Sequence, residues 1–490
     1  MFSARQRGPV VSISPGAYPL FRNLAVAGVV IGAIGTMSFG SILAGFALIV
    51  VFFCAGLVWR ANEPPILVFS IAFQWIFVVA GYLFTQAGGD LKEFALIGNV
   101  DLAVFLSLLG LLSVAIGMRL GLGLFGQRSS VKADSVPDMT LLFWVTIITY
   151  SISWIIEIAP MDIFFNAAQI LYSVLSFREV LLCLLWIVIL QKRRGYGYGW
   201  VAFIVALLPR FTSRQSVFKE LFFMLVVIAV FEFKPWIRTV AQRAWNRKIV
   251  VAVGCAALFL LAAGVIWEGA IKPVWRTLEF SGTPIETLDA FADVTVATTS
   301  EMDEDRSLQA FITRVSSITP FALVLDRVPT VVPFENGALT QRALLHVLVP
   351  RLLFPDKQNL GTDSWLAETY AGMNVGENTS VGIGYMAEAY VDWGPVGMFP
   401  FLAALGVFLG LAYRLIFFFS PSRLIGSALV IVPFMANFIT FEATLSKMLG
   451  GFIMTTLMLL LLARLIPFIP GGTGVSSFAS RIPINDLQSN

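Results

Sequence analysis

The chain has 490 residues, 58% of them hydrophobic and only 13% charged, with a mean hydropathy of +0.83. A soluble globular domain carries about 45–50% apolar and about 25% charged residues, so this composition excludes a water-soluble domain and makes lipid the solvent for most of the chain. The net charge of +3 is small; it reports orientation better than nucleic-acid binding, and no nucleic-acid partner is expected.

Apolar segments fall at about 21–38, 41–59, 65–86, 101–118, 140–158, 166–190, 197–209, 217–233, 249–268, 393–413, 424–441 and 446–464. Several reach the ~20 residues that a spanning helix needs, whereas a β-barrel would show ~10-residue alternating segments. The expected fold is an all-α polytopic membrane protein with about 12 transmembrane helices. Segment 197–209 is short for a span and is read as tilted, half-buried or broken at Pro209. The "RQRG" near the N-terminus precedes two apolar runs in succession, which reads as a retained anchor. Cys54, Cys183 and Cys255 each lie inside an apolar run and read as small core residues.

Residues 269–392 form the one long stretch between spans. "LQAFITRVSSITPFALVLDRV" and "LTQRALLHVLVPRLLF" within it are amphipathic and read as short helices on or in the membrane surface. The organisation is then a short N-terminus (1–20), nine helices (21–268), a large loop (269–392), three helices (393–464) and a tail (465–490).

The positive-inside rule orients this plan. Arg5, Arg7 and Arg22 place the N-terminus in the cytoplasm. Segment two ends at Arg60 and segment four at Arg119, near Arg128 and Lys132. Segment six ends at Lys192, Arg193 and Arg194. Segment eight is followed by Lys234, Arg238, Arg243, Arg247 and Lys248. Segment ten ends at Arg414, near Arg423, and segment twelve at Arg464. Every even exit is basic, so both termini are expected inside and the large loop outside. One odd exit disagrees. "LPRFTSRQSVFKE", after segment seven, carries Arg210, Arg214 and Lys219 on the external side. Ionisable residues at membrane depth are functional candidates by default. Arginine forks suit phosphate oxygens, and the start of segment eight adds free N–H groups. These three cations are candidates for a diphosphate cradle, with lipid-headgroup snorkelling as the plainer alternative.

At this point the residues resemble a family. "TSRQSVFKELFFMLVV", "VLVPRLLFPDKQNL" and "GIGYMAEAYVDWGPVGMF" occur in the order seen in bacterial O-antigen and exopolysaccharide repeat-unit polymerases (Wzy-like). Gln358 departs from that pattern, which has Pro after the lysine. The second half carries the resemblance in its motifs, the first half only in its hydropathy. Such polymerases resemble the GT-C class of membrane glycosyltransferases. The resemblance implies an enzyme of polysaccharide biosynthesis in the bacterial inner membrane. Its donor and acceptor would be oligosaccharides on undecaprenyl diphosphate, and undecaprenyl diphosphate would leave. It also implies a chain-length regulator and a flippase as pathway partners. An O-antigen-ligase-like transferase and a transporter of the same lipid-linked sugar are the competing readings.

A diphosphate leaving group needs charge stabilisation and positioning more than strong acid assistance. Arg351 and Lys357, in the large loop, are added to the three cations for that role. The acceptor hydroxyl needs a base, for which Glu388, Asp392 and His346 are the candidates. Glu388 lies where the chain re-enters the membrane, and Glu388→Gln is expected to hurt more than His346→Ala. His346, the only histidine, has apolar neighbours, where a structural role is the stronger reading; the resemblance to O-antigen ligases, which are expected to use a loop histidine as base, keeps it a candidate. Trp365, Tyr370, Tyr385 and Tyr390 are candidates for stacking on sugar rings, or for an interfacial aromatic belt. There is no Gly-rich nucleotide loop and no Cys/His cluster, so neither cofactor nor metal is expected.

Overall fold

The computed structural model describes residues 17–60, 62–91, 94, 97–124, 137–158, 168–212, 219–232, 304–348, 363–375 and 381–468. Among the described residues there are helices and no strands. In chain order they are α1 (Ala17–Phe39), α2 (Ile42–Val58), α3 (Ile66–Gln86), α4 (Val100–Leu124), α5 (Met139–Ile158), α6 (Ala168–Leu175), α7 (Phe177–Lys192), α8 (Tyr196–Thr212) and α9 (Lys219–Glu232). Then follow α10 (Glu304–Val315), α11 (Thr319–Arg327), α12 (Ala338–Leu348), α13 (Asp363–Leu366) with a π-helical turn (Ala367–Ala371), α14 (Tyr385–Phe419), α15 (Arg423–Asn437) and α16 (Leu445–Leu462).

Eleven of the twelve expected apolar segments fall on these helices; 249–268 lies outside the described residues. Seven stretches are long and apolar enough to cross a membrane: Phe21–Phe39, Ile66–Gln86, Val100–Leu124, Met139–Ile156, Ile170–Lys192, Tyr385–Phe419 and Leu445–Ile466. The bent pair Ser307–Val315 and Thr319–Arg327, at 59°, makes eight if counted as one span. The chain thus reads as a helical membrane protein. α2, α15 and the apolar part of α8 are shorter, and α9, with 14 residues, is about 21 Å long. α8 runs through Pro209 to Thr212, so the helix is not broken there.

The tightest packing joins α4 and α14, which run parallel. Gly117 and Gly121 on α4 face Gly406 and Gly410 on α14, two Gly-x-x-x-Gly pairs that let backbones touch. A Cβ at Gly117 would lie 2.9 Å from Val407 N, and one at Gly410 would lie 3.0 Å from Leu122 N. Larger residues have no room along this seam.

One end of this seam is basic. Arg414 donates to Glu63 Oε1 at 3.1 Å and to the Leu122 carbonyl at 3.1 Å, and Arg60 donates to the same carbonyl at 3.0 Å. Arg423 donates to Asn62 O at 2.8 Å. Burial and the neighbouring Arg414 charge pull the Arg60 guanidinium down to about 10. The even exits Arg60, Arg414 and Arg423 therefore share one end of the bundle, called the basic end below.

α14 departs from the expected start at residue 393. Residues 385–392, assigned to the loop, are helical, and the break comes at Gly394 (φ 71°, ψ −178°). That positive φ is open to glycine at little cost, and Pro395 follows, unable to donate back into the preceding turn. An unbroken helix would separate Met386 from Leu402 by about 24 Å. Yet a Cβ at Gly110 would lie 3.3 Å from Met386 Sδ and 3.0 Å from Leu402 Cδ1. The two arms, 385–393 and 395–419, are folded sharply against the same patch of α4.

The loop helices also depart from a surface location. Ser317, between α10 and α11, donates its N–H to Phe77 O at 3.0 Å, in the middle of α3. α12 packs against α16. The reason is polar pairing: each broken helix end meets a donor or acceptor inside the bundle, which is what permits irregular backbone at such depth.

Candidate functional site

Heights along the helices show what the breaks have in common. Asn437 is fourteen residues beyond Arg423, about 21 Å from the basic end at 1.5 Å per residue. Gln191 Nε2 donates to Glu232 Oε1 at 3.1 Å, so α7 and α9 finish together. Counting back along each helix by the same rise puts Arg178 about 21 Å from Lys192 and Lys219 about 20 Å from Glu232. Arg210 is likewise about 21 Å beyond Tyr196. Measured along their own helices, Asn437, Arg178, Lys219 and Arg210 stand at similar distances, about 20 Å, from the ends named; the breaks around Asn437 are called the layer below.

Gln74 organises the layer. Its Nε2 donates to Phe438 O at 2.6 Å, where α15 has just ended, and its Oε1 accepts the Tyr385 hydroxyl. Tyr385 N–H donates to Ala443 O at 3.0 Å, so the start of α14 pairs with the unwound link between α15 and α16. Gly384 (φ +85°) lies against that link, where a Cβ would be 2.7 Å from Phe441 O.

Beside this link is a cavity of about 460 Å³ between α6, α12, α15 and α16. Its polar lining includes Tyr172, Ser176, His346, Asn437, Ser446 and Lys447. Lys447 pairs with Asp363, which also accepts from Thr444 Oγ1 at 3.2 Å. An imidazole, an ammonium, hydroxyls and an amide thus line one cavity. That set can hold an anion or a sugar and accept a proton.

The three expected bases separate. His346 lines the cavity. Glu388 is beside it but turned to the start of α16, where Oε1 accepts the Leu445 N–H at 3.0 Å. Asp392 is elsewhere. Its two oxygens accept N–H bonds from Gly337 and Leu339 at 3.0 Å each and from Thr340 at 2.7 Å, plus the Thr340 hydroxyl. It caps α12, whose other end carries His346 about 12 Å away. Four donors on a buried carboxylate leave it little capacity as a base, so Asp392 is better described as a cap.

The expected sugar-stacking residues also separate. Tyr370, Tyr385 and Tyr390 are buried, with hydroxyls donated to Glu335 Oε1 at 2.7 Å, to Gln74, and to Val328 O at 3.1 Å. Burial and the Glu335 carboxylate hold the Tyr370 phenol above its usual range. These three rings are packing residues, since their faces are covered. Trp365 alone of the four is exposed. Arg214, Arg351 and Lys357 lie outside the described residues, and Arg210 and Lys219 are placed by their backbone only.

Sequence reasoning passed over Arg178, Lys447 and Gln74. Gln74 and Arg178 are polar residues well inside apolar runs, and that was the available signal; Lys447 is the second residue of its run. Asp363 gave no such signal, because it sits in a polar stretch.

No curated protein and no solved structure matches this chain. Residues 95–466, which hold the seam, the cavity and the layer apart from Gln74 on α3, match one family, and the chain belongs to it: the family described as a domain of unknown function, DUF8712.

Proposed function

We propose that the chain is a membrane glycosyltransferase that joins oligosaccharide units carried on undecaprenyl diphosphate, at the face opposite the basic end, and releases undecaprenyl diphosphate. In this reading the basic end is cytoplasmic and the membrane is the bacterial inner membrane. The observation that carries it is the His346–Lys447 cavity, whose imidazole, ammonium, hydroxyls and amide could hold a sugar or an anion and take a proton.

The acceptor hydroxyl attacks the anomeric carbon, and the bond from that carbon to the diphosphate oxygen breaks. The hydroxyl proton passes to His346, and the diphosphate leaves as an anion against the cations. His346 takes the base role here because it faces the cavity while Glu388 and Asp392 are turned to helix starts. Fixed charge at the leaving group is the main source of rate in such a step. A His base also fits a ligase-like enzyme, which shares the donor and differs in the acceptor.

A transport reading draws on another observation. Discontinuous helices that meet at membrane depth, as at Phe438–Thr444 and Ser316–Ile318, also occur in transporters. The test is made on purified protein in lipid vesicles supplied with lipid-linked repeat units. A ladder of products supports polymerisation, and one block added to a different acceptor supports the ligase. Unchanged substrate that has crossed the bilayer overturns both in favour of transport.

A further inference from the structure

Three arginines converge at the basic end, on the link between α2 and α3. Arg60 and Arg414 both donate to the Leu122 carbonyl near the end of α4, at 3.0 and 3.1 Å, so two guanidinium groups stand side by side on one oxygen. Arg423 donates to the Asn62 carbonyl in the same link. The carboxylate that meets them is Glu63, which pairs with Arg414. Cations gathered this closely repel one another, and one carboxylate does not balance three of them.

Two donors in this cluster are unspent. Arg60 Nε is buried without a hydrogen-bond partner among the described residues. Arg119, one helical turn before Leu122, is half-buried and makes no hydrogen bond or ion pair among the described residues. Burial first, then the Arg414 charge and more weakly that of Arg119, hold the Arg60 guanidinium at about 10, with Glu63 opposing them. The stretch 125–136 that follows α4 carries Arg128, Lys132 and one acid, Asp134, so its sequence adds no net negative charge. Apolar side chains flank the cluster: Leu120 and Leu124 on α4 and Phe419 on α14 are exposed. Unspent arginine donors suit phosphate oxygens, and apolar flanks beside them suit acyl chains.

We infer that the basic end holds a phosphate-binding site, with Arg60 and Arg119 as its donors and Arg414 adding charge, of the kind that takes an anionic phospholipid headgroup. An oxygen between Arg60 and Arg119 relieves their repulsion and gives Arg60 Nε its acceptor. This site is separate from the His346–Lys447 cavity and does not depend on the glycosyltransferase reading.

The experiment uses the full chain in mild detergent, titrated with short-chain phosphatidylglycerol, short-chain phosphatidylcholine and inorganic phosphate, with bound ligand read by native mass spectrometry and folding by melting temperature. Wild-type protein is expected to bind phosphatidylglycerol about 10-fold more tightly than phosphatidylcholine, the order expected of two cations facing an uncompensated phosphate. Arg119→Gln is expected to weaken phosphatidylglycerol binding at least about 10-fold, the worth of one charge-assisted hydrogen bond, with the melting temperature of the lipid-free protein unchanged. Arg60→Gln should weaken it as much; if that variant does not fold, Arg119→Gln carries the test alone. Arg194, exposed beyond the end of α7, is the control, and Arg194→Gln should change the affinity less than about 2-fold, as a screened distant charge does. Equal losses in Arg119→Gln and Arg194→Gln overturn the site in favour of general surface charge. Wild-type protein that binds neither phosphatidylglycerol nor phosphate also overturns it. Where Arg119→Gln alone loses affinity, competition by inorganic phosphate assigns the site to the phosphate group by itself, and its failure to compete assigns it to the lipid; either supports the site.

Discussion

The α4–α14 seam and the layer around Gln74 solve the same problem by opposite means. Along the seam two unbroken helical runs touch backbone to backbone through glycines, and no polar side chain is needed. In the layer the helices stop, and their loose ends are tied by Gln74 and Glu388. Continuous helices satisfy their own backbone, so close packing can be anhydrous and rigid. Broken helices must borrow partners, and the borrowed partners leave polar room for a ligand. The difference separates what holds this protein together from what gives it a site.

Substitutions at five positions probe that division, from the greatest expected effect to the least. Gly410→Leu places a side chain against the Met118–Leu122 backbone. Its effect should exceed the ~3 kcal/mol of ordinary overpacking, and size-exclusion profiles in mild detergent should show loss of folded protein. At the basic end, Glu63→Ala strands the buried Arg414; thermal unfolding should report about 3–5 kcal/mol of lost stability. His346→Ala should leave the melting temperature near wild type and slow product formation about 100-fold, the lower end of general-base contributions. An unaffected rate would remove His346 from the chemistry.

Asp392→Ala should lower stability by about 0.5–2 kcal/mol, as loss of a helix cap does, while Asp392→Asn should keep most of it. Equal losses in the two variants would mean that charge, and not capping, is what Asp392 supplies. Glu388→Gln retains an acceptor for the Leu445 amide and should change stability by less than ~1 kcal/mol. If Glu388→Gln slows catalysis more than His346→Ala, the base role returns to Glu388.

Hydropathy located the helices well because each apolar run is a local property. The positions of α3 and α16 were readable to within two residues, while α4 runs six residues past its expected end. The short arm 385–393 was not, since its burial depends on a reversal at Gly394 that only the partner surface of α4 makes favourable. His346 looked structural in sequence because its neighbours are apolar; its polar surroundings come from α6, α15 and α16. Tyr385 looked like a surface aromatic because its hydroxyl partner, Gln74, lies 311 residues away. Arg178 was readable in principle, as a charge inside a span, but counting charges at span exits passes over it.

The Gln74 bonds carry a consequence for synthesis. α3 is made and inserted when more than three hundred residues of the chain do not yet exist, including Tyr385 and Phe438. Until they arrive, a buried amide in α3 has lost its final partners, and an unpaired polar group in lipid costs several kcal/mol. The N-terminal helices must therefore wait in a provisional arrangement, held by water, lipid headgroups or an insertion factor. The last third of the chain is what completes them, so truncation after α13 should leave a membrane-inserted protein that is prone to degradation.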